Sequence, residues 1–526
     1  MNVLIAEPMA QAGIELFQAQ PNWNVIVSNP KEYSKHLAEA DALIVRSAVQ
    51  VTPEVLKQAP KLRVIGRAGV GVDNVDLPAA TAAGVLVMNT PGGNAVSVAE
   101  HTMALMLSMA RFIPQASVST KAGKWEKKKF LGSELRGKVI GVIGLGSIGR
   151  EVVKRARAFE MKVLAHDPYV TAQFAKDLNI QLVSLEELYG SSDYITVHVS
   201  LTPETDKLLN KEAFAQMKQG VRIVNCARGE LLDEGALKDA IESGKVAGAS
   251  LDVFLKEPTD ASYPLFALEQ VLATPHIGGS TEEAQEIVGV RIAEQIVEYL
   301  QNGIAINAVN MPAMSPDQYK SAGPFIDLAE RLGNVAAHLV TGNPKSIRLT
   351  YFGNIADMNT SILRNSGLAG ALNRSTAQSR ANVVNAMQIA SDRGWNVVEV
   401  HDKRSAHSDT IRLEIETESS TTTVEGAVVL GKPRLMHVDG IYCEVALTGP
   451  LVLIKNLDVP GVVGHIGTIL GSHRINIANF SLGRRDSGEI LEALAAVTTD
   501  TLVPQAVLDL LMSNPAIKLA RFVPAV

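Results

Sequence analysis

The sequence predicts an α/β protein built on doubly wound parallel sheets, and three observations carry that prediction. Short apolar runs alternate with helix-like stretches from residue 1 to about 90 and again from 138 to about 277, the rhythm of parallel strands wrapped by helices. The second stretch opens with Lys138-Val-Ile-Gly-Val-Ile-Gly-Leu-Gly-Ser-Ile-Gly149 and continues to Val163-Leu-Ala-His-Asp167, a strand, glycine turn, helix and second strand ending in an acid. Residues 451–526 read as strand, helix, strand, strand, helix, strand, the order of a small ferredoxin-like module.

In chain order, the apolar runs 3–6, 42–45, 64–65 and 85–88 are the first strands. The start, Met1-Asn-Val-Leu-Ile-Ala-Glu-Pro, reads as a strand because it lacks the basic region and long apolar stretch of a targeting signal. Residues 95–109 fit a long helix with Asn94 as N-cap. In the glycine turn, Gly144 permits the tight bend, Gly146 lets backbone approach a pyrophosphate, and Gly149 lets helix and strand pack closely. The N–H groups of the following helix face the phosphates. Asp167, eighteen residues beyond Gly149, suits the adenosine ribose and repels a 2′-phosphate, which predicts NAD rather than NADP. Gly66-Arg-Ala-Gly69-Val-Gly71 and Gly461-Val-Val-Gly464-His-Ile-Gly467 lack this spacing and read as decoys. Further strands follow at 194–199, 222–226, 248–253 and 271–273, then a helical pattern from 282 to 300 ending at Asn302-Gly303. Ala308-Val-Asn-Met-Pro-Ala-Met-Ser-Pro316 reads as a linker. Residues 317–450 hold a polar Ser, Thr and Asn region at 373–385 and an alternating strand at 410–417.

A chain of 526 residues exceeds one core and predicts three or four domains. A net charge of −6 offers no basic footprint for nucleic acid or anionic membrane. The apolar runs are too short to span a bilayer. Two distant cysteines, Cys226 and Cys443, argue against a disulfide framework and for the reducing cytoplasm.

Three loops carry polar groups where strands end: Asn225-Cys-Ala-Arg228-Gly-Glu, Asp252-Val-Phe-Leu-Lys-Glu257-Pro and Thr274-Pro-His276-Ile-Gly-Gly279. Ligands of open α/β sheets lie beyond the strands' carboxyl ends, so the loops can converge on one cleft. Oxidation of a hydroxy acid needs a base for the hydroxyl proton, and histidine suits neutral pH. A carboxylate on the other ring nitrogen fixes the tautomer, and arginine offers a fork of donors to a carboxylate or carbonyl. Singly, Arg228 reads as a surface ion pair, Glu257 as a loop charge, and His101 and His198 as structural. Joint placement on a dinucleotide fold favours a catalytic set in Arg228, Glu257 and His276.

These motifs resemble those of the D-isomer-specific 2-hydroxyacid dehydrogenases across roughly residues 1–310. Gly66-Arg-Ala-Gly-Val-Gly-Val-Asp-Asn-Val-Asp76 and Asn89-Thr-Pro-Gly-Gly-Asn94 resemble the phosphoglycerate dehydrogenase branch. The last module, with Asp458-Val-Pro-Gly-Val as its first turn, resembles an ACT domain, and residues 317–450 look like the intervening domain of long forms. The resemblance implies two Rossmann-like domains: a substrate domain split into 1–97 and 281–307, and an NAD domain at 98–280. Helices near Ala95 and Glu282 would be the hinges between them. An α+β regulatory domain at 317–450, substrate-binding-like, and a βαββαβ ACT domain at 451–526 complete the implied architecture.

It further implies oxidation of 3-phosphoglycerate to 3-phosphohydroxypyruvate on the route to serine, with His276 as acid–base, Glu257 its orienter and Arg228 the substrate clamp. Implied NAD contacts are Gly144, Gly146, Ser147, Ile148, Gly149, Asp167, Cys226, Ala227, Arg228, Asp252, His276, Ile277, Gly278 and Gly279, with Asp252 on the nicotinamide amide. Arg46, Asn94, Arg228 and His276 match substrate positions, and Lys127, beside Trp125, matches a loop that reaches a neighbouring subunit's site. Val70 departs from a common threonine. Asn456, Asp458 and Asn476 match positions that hold L-serine in regulated relatives, and Lys432-Pro-Arg434 suits an anion. A homotetramer is implied, with contacts through ACT edges and the Trp125 loop. A glyoxylate or hydroxypyruvate reductase, or an NAD-sensing binding protein, remains the alternative.

Overall fold

The computed structural model describes residues 1–375, 381–403, 409–485 and 491–524. The first sheet has strands β1 (Asn2–Ile5), β2 (Asn24–Val27), β3 (Ala42–Val45), β4 (Val64–Arg67) and β5 (Leu86–Met88), in the order β2-β1-β3-β4-β5. All its pairings are parallel. The middle strand β3 is Ala-Leu-Ile-Val and buried at every position, as a strand covered on both faces must be.

The second sheet has β6 (Val139–Ile143), β7 (Lys162–His166), β8 (Gln181–Leu182), β9 (Tyr194–Val197), β10 (Val221–Asn225), β11 (Val246–Leu251) and β12 (Val271–Ala273). It too is parallel, ordered β12-β11-β10-β9-β6-β7-β8. Strand order therefore reverses between β6 and β9, and a ligand crevice lies outside the carboxyl ends of those strands.

Two helices join the sheets. Ala95–Arg111 leaves the first sheet and buries Val98, Met103 and Met106 in a core shared with Ile140 and Val142 of β6. Glu282–Asn302 returns, with Val288, Ile292 and Ile296 against the first sheet. Thr281 caps its start by accepting from the Ala284 N–H, and Gly303 ends it in the left-handed region at φ 73°.

The stretch expected to be a linker is stitched down over its first part. Met88 and Ala308 form an antiparallel bridge, and Val309 N–H donates to Val87 O at 2.8 Å. The Asn310 amide accepts from Val87 N–H and donates to Val85 O and Thr81 Oγ1. The cause is β5, an edge strand whose exposed peptide groups need partners. A capping box at Ser315 and Gln318 then starts the helix Pro316–Leu339.

The third sheet, β13 (Ser346–Phe352), β14 (Asn396–Asp402), β15 (Thr410–Glu416), β16 (Thr421–Val429), β17 (Lys432–Val438) and β18 (Ile441–Ala446), is ordered β14-β13-β15-β16-β17-β18. Only the pair β13–β14 is parallel. Helices Pro316–Leu339 and Ser361–Leu372 meet backbone to backbone, because a Cβ on Gly370 would lie 1.9 Å from Glu330 O. Part of the polar 373–385 region falls at residues 376–380, outside the described residues. The last sheet, β19 (Leu451–Leu457), β20 (Ile477–Arg484), β21 (Glu492–Thr499) and β22 (Ile517–Val523), is antiparallel in the order β20-β21-β19-β22, the ferredoxin-like arrangement.

The cores divide unevenly. One continuous cluster runs from Val3 and Ile5 through Ile292 and Leu332 to Leu413, Leu453 and Val523, joining the first, third and fourth sheets. The second sheet keeps separate cores on its two faces. Among the described residues no helix is long and apolar enough to cross a membrane.

Candidate active site

The nucleotide crevice is built by the turn after β6. Gly144 has φ 93°, and a Cβ there would lie 2.5 Å from His198 O. A Cβ on Gly149 would lie 2.0 Å from Gly144 O, so helix Ser147–Ala158 can close on the turn only with glycine at that position. Gly146 has nothing within 4 Å of a Cβ position, and no side chain caps the helix start. Open space before free N–H groups fits a pyrophosphate. Ile148 is half-buried against the core between helix and sheet. Asp167 follows β7; its two oxygens accept from Leu145 N–H and Tyr169 N–H, each at 2.9 Å or less. A half-exposed carboxylate with two further lone pairs fits a ribose diol. These residues fit NAD.

The loop after β10 is shaped by Asn225, the fully buried first residue of the Asn225–Arg228 motif, whose role the sequence alone does not reveal. Its amide donates to Arg228 O at 2.7 Å and accepts from Ala227 N–H at 3.0 Å, which fixes the direction in which Arg228 leaves the strand. Cys226 is buried, and burial pushes its thiol up to about 12. It is a neutral packing surface.

His276 Nδ1 lies 2.7 Å from Glu257 Oε2, and Glu257 Oε1 accepts from Phe254 N–H at 2.9 Å. The bond to Glu257 raises the pKa of His276 despite burial. Burial alone would raise Glu257, but the bonds from His276 and Phe254 N–H outweigh it and hold the carboxylate below its ordinary value. Asp252, almost wholly buried, accepts from Ile277 N–H, Gly278 N–H, Thr274 Oγ1 and His101 Nε2. It anchors the His276–Gly279 loop with both oxygens, so a nicotinamide amide would have to share one of them. His101, expected as merely structural, braces this anchor. His198 is held neutral, its pKa pushed down to about 4 by burial, with Nε2 on Thr196 Oγ1.

Glu257 and His276 line a cleft of about 510 Å³ with Arg46, Arg67, Asn94 and Gly279. Arg46 follows β3, and its guanidinium donates to Pro8 O. The nearby Glu7 carboxylate is occupied by the N–H groups of Arg46, Ala48 and Val49. Arg67, absent from the sequence-derived site, ends β4 with its Nε buried and unpartnered. Burial lowers its pKa, and the charges of Arg228 and Arg46 act in the same direction. Its signal was a charged residue closing a parallel strand inside the Gly66–Gly71 decoy. That decoy has another use: a Cβ on Gly69 would lie 1.4 Å from Arg67 Nη1, and one on Gly71 would lie 2.0 Å from Arg228 Nη2. These glycines make room for guanidinium groups, not for a dinucleotide.

Not every expected residue reaches the cleft. Asn94 occupies the N-cap position but makes no capping bond; its side chain turns to the cleft, 2.9 Å from where a Gly279 Cβ would stand. Lys127 does not line the cleft. It lies on an exposed turn near Trp125, beyond the far end of the helix Ala95–Arg111, whose 17 residues span about 25 Å. Asn456 and Asp458 sit at the end of β19, and Asn476 lies just before β20, which runs parallel to β19. They occupy opposite ends of the sheet, roughly 20 Å apart by strand length, and one chain does not gather them. Asp458 pairs with Arg484, and the Asn476 amide bonds Asp500. Arg434, expected to suit an anion, is paired with Glu444 on the next strand.

Residues 103–278 match the family described as D-isomer specific 2-hydroxyacid dehydrogenase, NAD binding domain. Residues 321–439 match the D-3-phosphoglycerate dehydrogenase intervening domain, and 451–516 the ACT domain. The chain is 40% identical to D-3-phosphoglycerate dehydrogenase of Methanocaldococcus jannaschii over 520 residues, covering 98% of each chain. It is 38% identical to that of Bacillus subtilis over 518 residues, again 98% of each. The solved NAD-dependent formate dehydrogenase from Staphylococcus aureus, in complex with NAD, is 31% identical with a TM-score of 0.51, over 58% of this chain and 96% of that one. Fold and site together define an NAD-dependent dehydrogenase. Within that class, the chain belongs to the D-3-phosphoglycerate dehydrogenase family of D-isomer specific 2-hydroxyacid dehydrogenases.

Proposed function

We propose that the protein oxidises D-3-phosphoglycerate to 3-phosphohydroxypyruvate with NAD, the entry to serine synthesis. The observation that carries the reading is the convergence of Arg46, Arg67 and Arg228 beside the His276–Glu257 pair. A substrate with a carboxylate and a phosphate of charge about −2 matches that excess of positive charge. A non-phosphorylated 2-hydroxy acid would leave it uncompensated, which disfavours a glyoxylate or hydroxypyruvate reductase. An NAD-sensing protein would have no use for it.

His276 takes the hydroxyl proton at Nε2, since Nδ1 is committed to Glu257. Glu257 fixes the ring's tautomer and stabilises the imidazolium. Arg228 holds the carboxylate, while Arg46 and Arg67 receive the phosphate. Asp252 keeps the His276–Gly279 loop in place. When bound, NAD supplies the hydride acceptor, held by the Gly144–Gly149 turn and Asp167.

The ACT domain supports control by a small effector, and we take L-serine as its ligand. Asn456 and Asp458 of one copy with Asn476 of another would form the site, consistent with a homotetramer in which Lys127 also serves a neighbour. Two free buried cysteines suit the cytoplasm. The test is the initial rate of NADH formation from NAD and 3-phosphoglycerate, coupled to removal of the product, with and without L-serine. Turnover suppressed by serine is expected. Absence of turnover with NAD still bound would overturn the substrate assignment, and turnover indifferent to serine would overturn the effector.

A further inference from the structure

Arg228 is held from two sides. Nη1 donates to Ala227 O at 2.6 Å, and Nη2 meets Asp73 Oδ2 at 2.9 Å. The anchors belong to different units. Ala227 follows β10 of the nucleotide sheet, while Asp73 stands on the loop after β4 of the first sheet. The ion pair lies over Gly71, where a Cβ would stand 2.0 Å from Arg228 Nη2 and 2.8 Å from Asp73 Oδ2. The pair therefore bridges the two units, and glycine is what lets it form.

A guanidinium carries five N–H donors; with two engaged, three remain for a substrate carboxylate. Anchoring both terminal nitrogens fixes the plane of the group and hence the direction of its free donors. The side chains of Arg228 and Asp73 are 29% and 68% exposed, so such a pair adds little to stability. Its consequence is orientation.

We propose that Asp73 is a positioning residue for the reaction, aiming the Arg228 guanidinium at the substrate carboxylate from across the cleft. The aim then depends on how the two units stand, so Arg228 reaches its working direction only when the first sheet and the nucleotide sheet are correctly juxtaposed. This rests on the proposed role of Arg228 as partner of the carboxylate.

The test is a double-mutant cycle on kcat and KM in the full-length enzyme, with D73N, R228K and the double variant. Misdirecting the clamp in D73N should lower kcat/KM about tenfold or more, with KM for NAD and the melting temperature unchanged. In the R228K background the added D73N should cost less than about twofold. D73E should restore part of the loss, and G71A, which displaces the guanidinium and keeps Asp73, should reproduce it. D73N kinetics within twofold of wild type, or losses that multiply in the double variant, would overturn the proposal. The cycle is run with 3-phosphoglycerate and with D-glycerate and D-lactate, since each presents a carboxylate to Arg228. Wild-type turnover of another 2-hydroxy acid but not of 3-phosphoglycerate sinks the substrate assignment. The cycle on the acid that reacts still decides the role of Asp73.

Discussion

Replacing Glu257 by glutamine keeps the side chain's shape and removes its charge. In the native pair, His276 Nδ1 and Glu257 Oε2 are 2.7 Å apart, and that bond lifts the imidazole pKa. Two unit charges about 4 Å apart interact by ~4 kcal/mol at an effective dielectric of about 20. The side chains are 50% and 35% exposed, so solvent screening reduces this to about 1–2 kcal/mol. Oxidation needs His276 neutral, so the acid limb of kcat/KM in E257Q should move to lower pH, because the bond that raises the imidazole pKa is weakened. The plateau should fall by about tenfold, because the imidazolium formed in the reaction loses its counter-charge. In the reduction direction, which needs the imidazolium, E257Q should lose activity at lower pH than wild type. The stability gained by raising His276 is fully present below its unfolded pKa and fades as pH rises through the folded one. Glu257, whose folded pKa is lowered, loses its contribution as pH falls through that value. The assay is the pH profile of NADH formation for both proteins. A limb that stays fixed or moves upward would refute the pairing as the source of the shift.

Three further outcomes are expected. G149A, whose Cβ would stand 2.0 Å from Gly144 O, should lose about 1–3 kcal/mol in denaturant melts and bind NADH more weakly; native-like values of both would contradict the close-packed turn. D167A should relax the preference for NAD over NADP, read from kcat/KM with each; an unchanged ratio would remove Asp167 from the ribose site. R67A should raise KM for 3-phosphoglycerate by about tenfold or more while KM for NAD holds, since one phosphate partner is lost. Its melting temperature should not fall, because a half-buried guanidinium whose buried Nε has no partner is removed. An unaltered KM would take Arg67 out of the phosphate site.

The sequence by itself determined what depends on neighbours along the chain. A turn needing φ > 0 demands Gly144, a helix with period 3.6 shows its face within a few residues, and a buried parallel strand is apolar throughout. The doubly wound units, the ferredoxin-like module and the polar groups closing β10 and following β11 and β12 were legible for that reason. Tertiary structure decided everything that depends on which distant segments meet. Asn94 has the right residue type and place for a cap, yet its side chain turns to the cleft beside Gly279. Asn310 looks like linker and instead completes the edge of β5. Asn456 and Asn476 match one set of serine-holding positions yet stand at opposite ends of a sheet, because β19 and β20 run parallel. The glycines at 69 and 71 read as a failed nucleotide turn, but their spacing answers to Arg67 and to Arg228, the latter brought in from the other sheet. Steric exclusion and ion pairing act over a few ångströms in space, and a linear pattern records only separations along the backbone.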